Sequence, residues 1–258
     1  MSRSGYWPIL SFSLSCRSFG GDLDMGDIVV EGIRLSVSYG KHRAVSDMSF
    51  RVDADDGVVG MFGPNGAGKT TLFKTVCGDI GRYDIGRYDG ALRCPSRDEI
   101  AYLPDKPFLF SWMTVGQAID LFSARHQDFR DDVAEEFLAG SAIKRSAPVG
   151  SLSKGMSERL HLALIMARRP RLYVLDEPLA GVDPLTRDRW IENIIEVRCQ
   201  EAPMLLSTHL IEGVERVFDA VMMVVDGRLL RSGKVADVRR IGDGSLEMAF
   251  KRLVAAHE

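Results

Sequence analysis

The sequence predicts an α/β fold built on a covered, mostly parallel sheet, and three observations predict it. Short continuous apolar runs, Val58-Val59-Gly60-Met61-Phe62, Leu172-Tyr173-Val174-Leu175 and Met204-Leu205-Leu206, have the length and composition of strands buried on both faces. Segments of helical periodicity alternate with them. A glycine-rich stretch, Gly63-Pro64-Asn65-Gly66-Ala67-Gly68-Lys69-Thr70-Thr71, joins the first run to a helix whose Leu72, Phe73, Val76 and Cys77 share one face.

That stretch has the pattern G-x-x-x-x-G-K-[ST] in a strand–loop–helix context, which makes it a phosphate-binding loop. Phosphate oxygens must approach backbone N–H groups closely, and a Cβ would block them. Glycine also reaches positive φ. The following helix points its unpaired N–H groups at the anion. Lys69 supplies a mobile positive charge for the outer phosphates, and the Thr70 hydroxyl is placed for the accompanying Mg²⁺.

The elements follow in order. Residues 1–26 read as an extension, disordered or artefactual, with Met25 as the expected start. Ile33, Leu35, Val37 and Tyr39 alternate with polar residues as in a half-buried strand, as do Met48, Phe50 and Val52. Gly40-Lys41 and Asp55-Asp56-Gly57 mark turns, so an antiparallel β unit leads into the loop strand. Residues 81–90 repeat Gly-Arg-Tyr-Asp and read as a slipped duplication in a surface loop. Ile100 to Leu103 is a short strand. Thr114 and Gln117 have capping-box spacing before Ala118, Ile119, Leu121 and Phe122. Val133, Phe137 and Leu138 mark a second helix. A third, through Leu160, Leu164 and Ala167, is suited at its end by Arg168 and Arg169 through the helix dipole and stopped by Pro170. This middle region reads as an inserted helical subdomain, about 105–160. Asp183-Pro184 is an N-cap with Pro at the first helical position, ahead of Leu185, Ile191, Ile194 and Ile195. Val221 to Val225, Asp226-Gly227 and Leu229-Leu230 form a hairpin. Residues 27–235 read as one domain, with 236–258 a short C-terminal tail.

Bulk composition sets limits. A chain of 258 residues, 45% hydrophobic and 27% charged, suits one or two compact domains. A net charge of -3 gives no reason to propose nucleic acid as a partner. Cys16, Cys77, Cys94 and Cys199 contain no C-x-x-C pair and read as reduced thiols of a cytosolic protein. No uninterrupted apolar stretch reaches the ~20 residues of a membrane-spanning helix.

An apolar strand ending in Asp176-Glu177 places these carboxylates at the sheet edge where open α/β sheets bind ligands. Asp176 is then positioned to hold Mg²⁺ through water, and Glu177 to orient the attacking water. Leu152-Ser153-Lys154-Gly155-Met156 opens a helix. At this point the chain resembles the ATP-binding cassette family, whose signature is LSGGQ in that place. His209 after Ser207-Thr208 is similar to the family's switch histidine, and Ala180-Gly181-Val182-Asp183 to the loop after its catalytic Glu. Tyr39 stands where the family stacks an aromatic on adenine.

The resemblance implies a P-loop NTPase core that binds ATP and Mg²⁺. Tyr39 and the loop residues Gly63 to Thr71 would hold the nucleotide; Thr70, Asp176 and Asp105 would hold the metal. Lys69, Glu177 and His209 would carry the hydrolysis, and Ser153 and Gly155 would reach the γ-phosphate of another chain. It further implies a second ATPase subunit, as homodimer or heterodimer, a separate membrane permease, and a place at the inner face of the cell membrane. Two motifs depart from the family. In the signature, Lys154 and Met156 replace a Gly and the Gln. Asp105 stands where Gln is usual. Phe108, Phe110 and Trp112 either line a groove for the permease or pack inside the subdomain. The short length and these variants look similar to exporter-type ATPases. The competing readings are a soluble cassette protein of translation or repair and a non-catalytic binding subunit.

Overall fold

The computed structural model describes residues 28–80, 86–179, 182, 184–211 and 213–257. The N-terminal extension, the first copy of the Gly-Arg-Tyr-Asp repeat up to residue 85, and Ala180, Gly181 and Asp183 lie outside the described residues.

Two sheets form the scaffold. Strands β1 (Ile28–Tyr39), β2 (His42–Asp53) and β4 (Arg87–Arg93) make an antiparallel sheet in the order β2-β1-β4. The second sheet has six strands: β3 (Val58–Phe62), β5 (Ile100–Leu103), β6 (Leu172–Asp176), β7 (Met204–Thr208), β8 (Ala220–Val225) and β9 (Arg228–Lys234). Their order is β5-β6-β7-β3-β8-β9, parallel except for β9.

The continuous apolar runs are explained by two cores, one on each face of this sheet. Along the parallel strands, Phe62, Tyr173, Leu175, Met204, Leu206 and Met223 face one core. Their neighbours Met61, Leu172, Val174, Leu205 and Met222 face the other. Helix α1 (Lys69–Val76) and the antiparallel sheet close the second face through Leu72, Phe73, Leu35 and Val37. The first face is covered by α2 (Val115–Arg125), α3 (Asp131–Leu138), α4 (Lys154–Met166), α5 (Pro184–Val197), α6 (Val235–Ile241) and α7 (Leu246–Ala255). Period-2 alternation between two apolar cores confines the polar residues of β6 and β7 to their C-terminal ends, Asp176 and Ser207-Thr208, hence the unbroken runs before them.

Several expectations are met in detail. Thr114 Oγ1 accepts from the Gln117 N–H at 3.2 Å, and Gln117 Oε1 accepts from the Thr114 N–H at 2.9 Å, a reciprocal capping box. The hairpin turn has Asp226 and Gly227 at φ +49° and +73°, the left-handed pair that matches strand twist.

Other parts differ. Ile33 is 49% exposed, because Arg34 adopts φ +51° and shifts the register of β1 on both neighbours. The bulge breaks the alternation that would have buried it. The second copy of the repeat is part of β4 and pairs with β1. Its side chains are almost all exposed, so no alternation announced it. Arg168 does more than face a helix end: its guanidinium is buried and its Nε lies 2.7 and 2.9 Å from the two carboxylate oxygens of Asp128. The segment expected as a tail folds as α6 and α7, with Val238, Leu246 and Ala249 fully buried.

Tyr173 ties this layer together. Its hydroxyl donates to the Arg168 carbonyl at 2.6 Å and accepts from the Cys199 N–H at 3.2 Å, and the side chain is fully buried. Tyr173→Phe leaves both backbone groups without that partner. We expect a loss of about 1–3 kcal/mol, read as a melting temperature lower by roughly 2–10 °C.

Candidate functional site

The site lies where the parallel strands end. The loop Gly63–Gly68 leaves β3 at the centre of the sheet. Gly68 caps α1 in the left-handed region at φ +98°, and a Cβ there would sit 2.4 Å from the Ala44 carbonyl oxygen. No side chain caps this helix, so its first N–H groups are free for an anion. The β8–β9 turn supports the loop from behind: the Gly227 N–H donates to the Ala67 carbonyl at 3.0 Å, and the Ser46 N–H to the Gly227 carbonyl at 2.8 Å.

Lys69 is only 6% exposed. Its ammonium donates to the Gly63 and Pro64 carbonyls at 2.7 and 3.2 Å and stands 3.4 Å from Glu177 Oε1. β6 delivers Asp176 and Glu177 to the same edge, and β7 delivers Ser207, Thr208 and His209. Parallel register places Asp176 beside Ser207 and Phe62 beside Thr208.

Ser207 links the two acids. Its hydroxyl donates to Asp176 Oδ1 at 2.6 Å and accepts from the Glu177 N–H at 2.9 Å. Burial pushes the Asp176 carboxyl above its ordinary pKa; hydrogen bonding from Ser207 and Thr70 opposes this, and the charges of Asp105 and Glu177 add to it. Glu177 holds a left-handed backbone at φ +50°, a conformation that costs a non-glycine residue about 1–3 kcal/mol. The twist turns its carboxylate back over the strand end, where Oε2 accepts from His209 Nδ1 at 3.0 Å.

A cleft of about 340 Å³ opens beside these groups, with Lys69 and Glu177 in its wall and Asp176, Ser207 and His209 outside its lining. Tyr39, Asn65, Gly66, Ala67, Gly68, Lys69, Thr70, Thr71, Asp105 and Glu177 all line it. His42 and Ala44 of β2 line it too, although no sequence signal singled them out. Gly63 and Pro64 stand just behind, through their carbonyls to Lys69. Ser207 was also missed: a serine inside an apolar strand gives no sign of what it faces across the sheet.

The donor set fits a triphosphate with Mg²⁺. Asp176 Oδ2 is buried without a hydrogen-bond partner, and Glu177 Oε1 has the Lys69 ammonium at 3.4 Å but no hydrogen bond, so both have acceptor capacity to give. Among the described residues no cluster of three or more His, Cys, Asp or Glu side chains could hold a metal alone. Mg²⁺ suits such a site, because it takes one or two protein ligands and completes its shell with waters and phosphates.

Ser153 and Gly155 are not in this cleft. Ser153 caps α4, accepting from the Met156 N–H at 3.3 Å, and is exposed. Lys154 is solvated, with its ammonium 3.9 Å from Glu158. The aromatic trio divides. Phe108 packs against Phe122 and His161 at centroid separations of 5.8 and 4.6 Å. Phe110 and Trp112 are 62% and 70% exposed and stack on one another.

A phosphate loop at the head of a parallel sheet, with two acids and a histidine at the neighbouring strand ends, defines a P-loop ATP-binding core. Residues 45–180 match the ABC transporter family, and the chain belongs to it. The chain is 30% identical over 219 residues to YxlF of Bacillus subtilis (strain 168), an uncharacterized ABC transporter ATP-binding protein, covering 80% of this chain and 71% of that one. It is 31% identical over 215 residues to the lipopolysaccharide export system ATP-binding protein LptB of Haemophilus influenzae, covering 77% of this chain and 88% of that one. A solved structure of an ATP binding subunit of an ABC transporter superposes with a TM-score of 0.75 at 27% identity, covering 88% of this chain and 99% of that chain.

Ser207→Ala removes the hydroxyl that holds both acids. ATP turnover is expected to fall about 10- to 100-fold, the usual effect of losing a group that orients metal-binding side chains. Phosphate release measured beside the unaltered protein checks this.

Proposed function

We propose that this chain is the ATP-hydrolysing subunit that powers export of a substrate through a separate membrane permease, and that its catalytic unit contains two such subunits, in the simplest case two copies of this chain. The carrying observation is the exposed start of α4. Gly155 lies in the first turn of α4, exposed beside the capping Ser153. A Cβ there would meet nothing within 4 Å in its own chain. In this reading the bare backbone of Gly155 is left open for a group of another chain. A two-fold arrangement brings the Ser153 hydroxyl and Gly155 N–H of one chain to the open cleft of the other.

The residues then have distinct roles. The free N–H groups of α1 and the loop grip the β- and γ-phosphates, with Lys69 released from the loop carbonyls to meet the outer oxygens. Tyr39 offers its ring to the base. Thr70 and Asp176 would hold Mg²⁺, assisted by Asp105; the cation neutralises phosphate charge when bound. Glu177 orients and polarises the attacking water, and His209 fixes the direction of its carboxylate. Ser153 of the opposing chain completes the set of γ-phosphate donors. Cleavage removes the group that both chains hold, and the pair opens, a ligand-driven population shift.

Among the described residues no helix is long and apolar enough to cross a membrane. In this reading the chain meets the inner face of the cell membrane through its permease. The exposed Phe110–Trp112 stack on the helical side is the surface offered to it. The export direction is supported by the similarity to LptB.

Glu177→Gln keeps the shape of the site but weakens its pull on water. The variant is expected to bind ATP, hydrolyse it at least about 100-fold more slowly, and elute at twice the monomer mass when ATP is present. Elution as a monomer with bound ATP would overturn the paired arrangement.

A further inference from the structure

Residues 104–114 connect β5 to α2 without a helix or strand of their own. Asp105, near one end, lines the nucleotide cleft. Phe110 and Trp112, near the other, stand in solvent with their rings stacked at 5.5 Å. Between them the Phe108 side chain turns inward. A segment with an acid in the cleft and two aromatics on the surface needs an anchor in its middle.

The far end is held by the N–H groups of Gly150 and Val149, which donate to the Ser111 and Met113 carbonyls at 2.9 and 2.8 Å; His161 of α4 anchors the middle. Its Nδ1 lies 2.6 Å from the Ser157 carbonyl oxygen. A carbonyl only accepts, so Nδ1 carries the hydrogen. Nε2 is then a bare acceptor, and the backbone N–H groups of Phe108 and Leu109 both donate to it, at 3.2 and 3.4 Å. The Phe108 ring meets the imidazole edge-on, at 4.6 Å and 87°. The side chain is 4% exposed. Burial holds the imidazole below its ordinary pKa, against the Ser157 carbonyl, which raises it. The neutral form that this acceptor role requires is therefore the one the protein favours.

We infer that His161 is a positioning residue for the nucleotide site: it fastens the middle of the 104–114 segment to α4 through Phe108 and Leu109, keeping Asp105 in the cleft. Through it, the segment that faces a chain's own nucleotide is tied to the helix whose start faces the nucleotide of the partner. The inference rests on the reading of the cleft as a Mg²⁺–ATP site.

Two substitutions separate positioning from packing. His161→Phe keeps an aromatic ring against Phe108 but leaves both N–H groups without an acceptor. His161→Gln offers them a side-chain carbonyl. Amide hydrogen exchange of the purified full chain without nucleotide is expected to quicken about tenfold or more over 104–112 in His161→Phe, to stay near the unaltered rate in His161→Gln, and to leave β3 and β6 protected in both. The Mg²⁺ concentration that half-saturates ATP turnover is expected to rise several-fold in His161→Phe with a smaller change in kcat, and to return in His161→Gln. If His161→Phe does not fold, the more pliable His161→Met takes its place. Unchanged exchange over 104–112, or equal loss of protection throughout the chain in both variants, overturns the inference. So does local loosening with an unchanged Mg²⁺ requirement. A chain that turns over no ATP at all would defeat the proposed function, while the exchange pattern would still decide the role of His161.

Discussion

The parallel pairing of β6, β7 and β3 is the constraint on which the site depends. Parallel strands end on one side, and in-register pairing brings their last residues level. Level ends put the phosphate loop, the Asp176-Glu177 pair and the Ser207-Thr208-His209 run within one hydrogen bond of each other. A slip of one residue in β7 would turn Ser207 to the opposite face and carry an apolar side chain to the acids. Two apolar cores, one on each face, make that slip costly, because every residue in these strands is buried.

Within that frame the site holds a charge imbalance. Asp176, Glu177 and Asp105 gather at one edge, and Lys69 is the cation placed among them. The imbalance is tolerated because Ser207 is shared between the two adjacent acids and because Lys69 is held by carbonyl oxygens as well as by Glu177. Glu177 adds a left-handed backbone to this. Such a collection of buried acceptors and local strain is unfavourable for stability alone, and it is the arrangement expected where a ligand supplies the missing positive charge and donors.

Much of this was legible in the sequence because it is local. Three apolar runs, a glycine-rich loop and an acid pair at a strand end identify the parallel core and most of the cleft without any long-range information. What escaped is long-range. Ser207 matters through its neighbour across the sheet, thirty-one residues away in sequence from Asp176. His161 matters through backbone groups fifty-three and fifty-two residues away. Arg168 reads as a helix-end charge until Asp128 comes to meet it. Ile33 fits an alternating pattern that a bulge at Arg34 interrupts, and β4 has so few buried side chains that only pairing with β1 reveals it. The region after residue 235 lacked a long periodic run, yet its two short helices bury enough to join the core.

The central claim is that each nucleotide is held by two chains, the loop of one and the α4 start of the other. Mixing two variants tests it most directly: Lys69→Ala, which lacks the loop cation, and Ser153→Ala, which lacks the opposing hydroxyl. Each alone leaves both sites of a pair defective. In a mixed pair one site has its own Lys69 and its partner's Ser153 intact. The account predicts ATP turnover in the mixture that neither variant shows alone. Turnover no greater than the sum of the two separate preparations would contradict it.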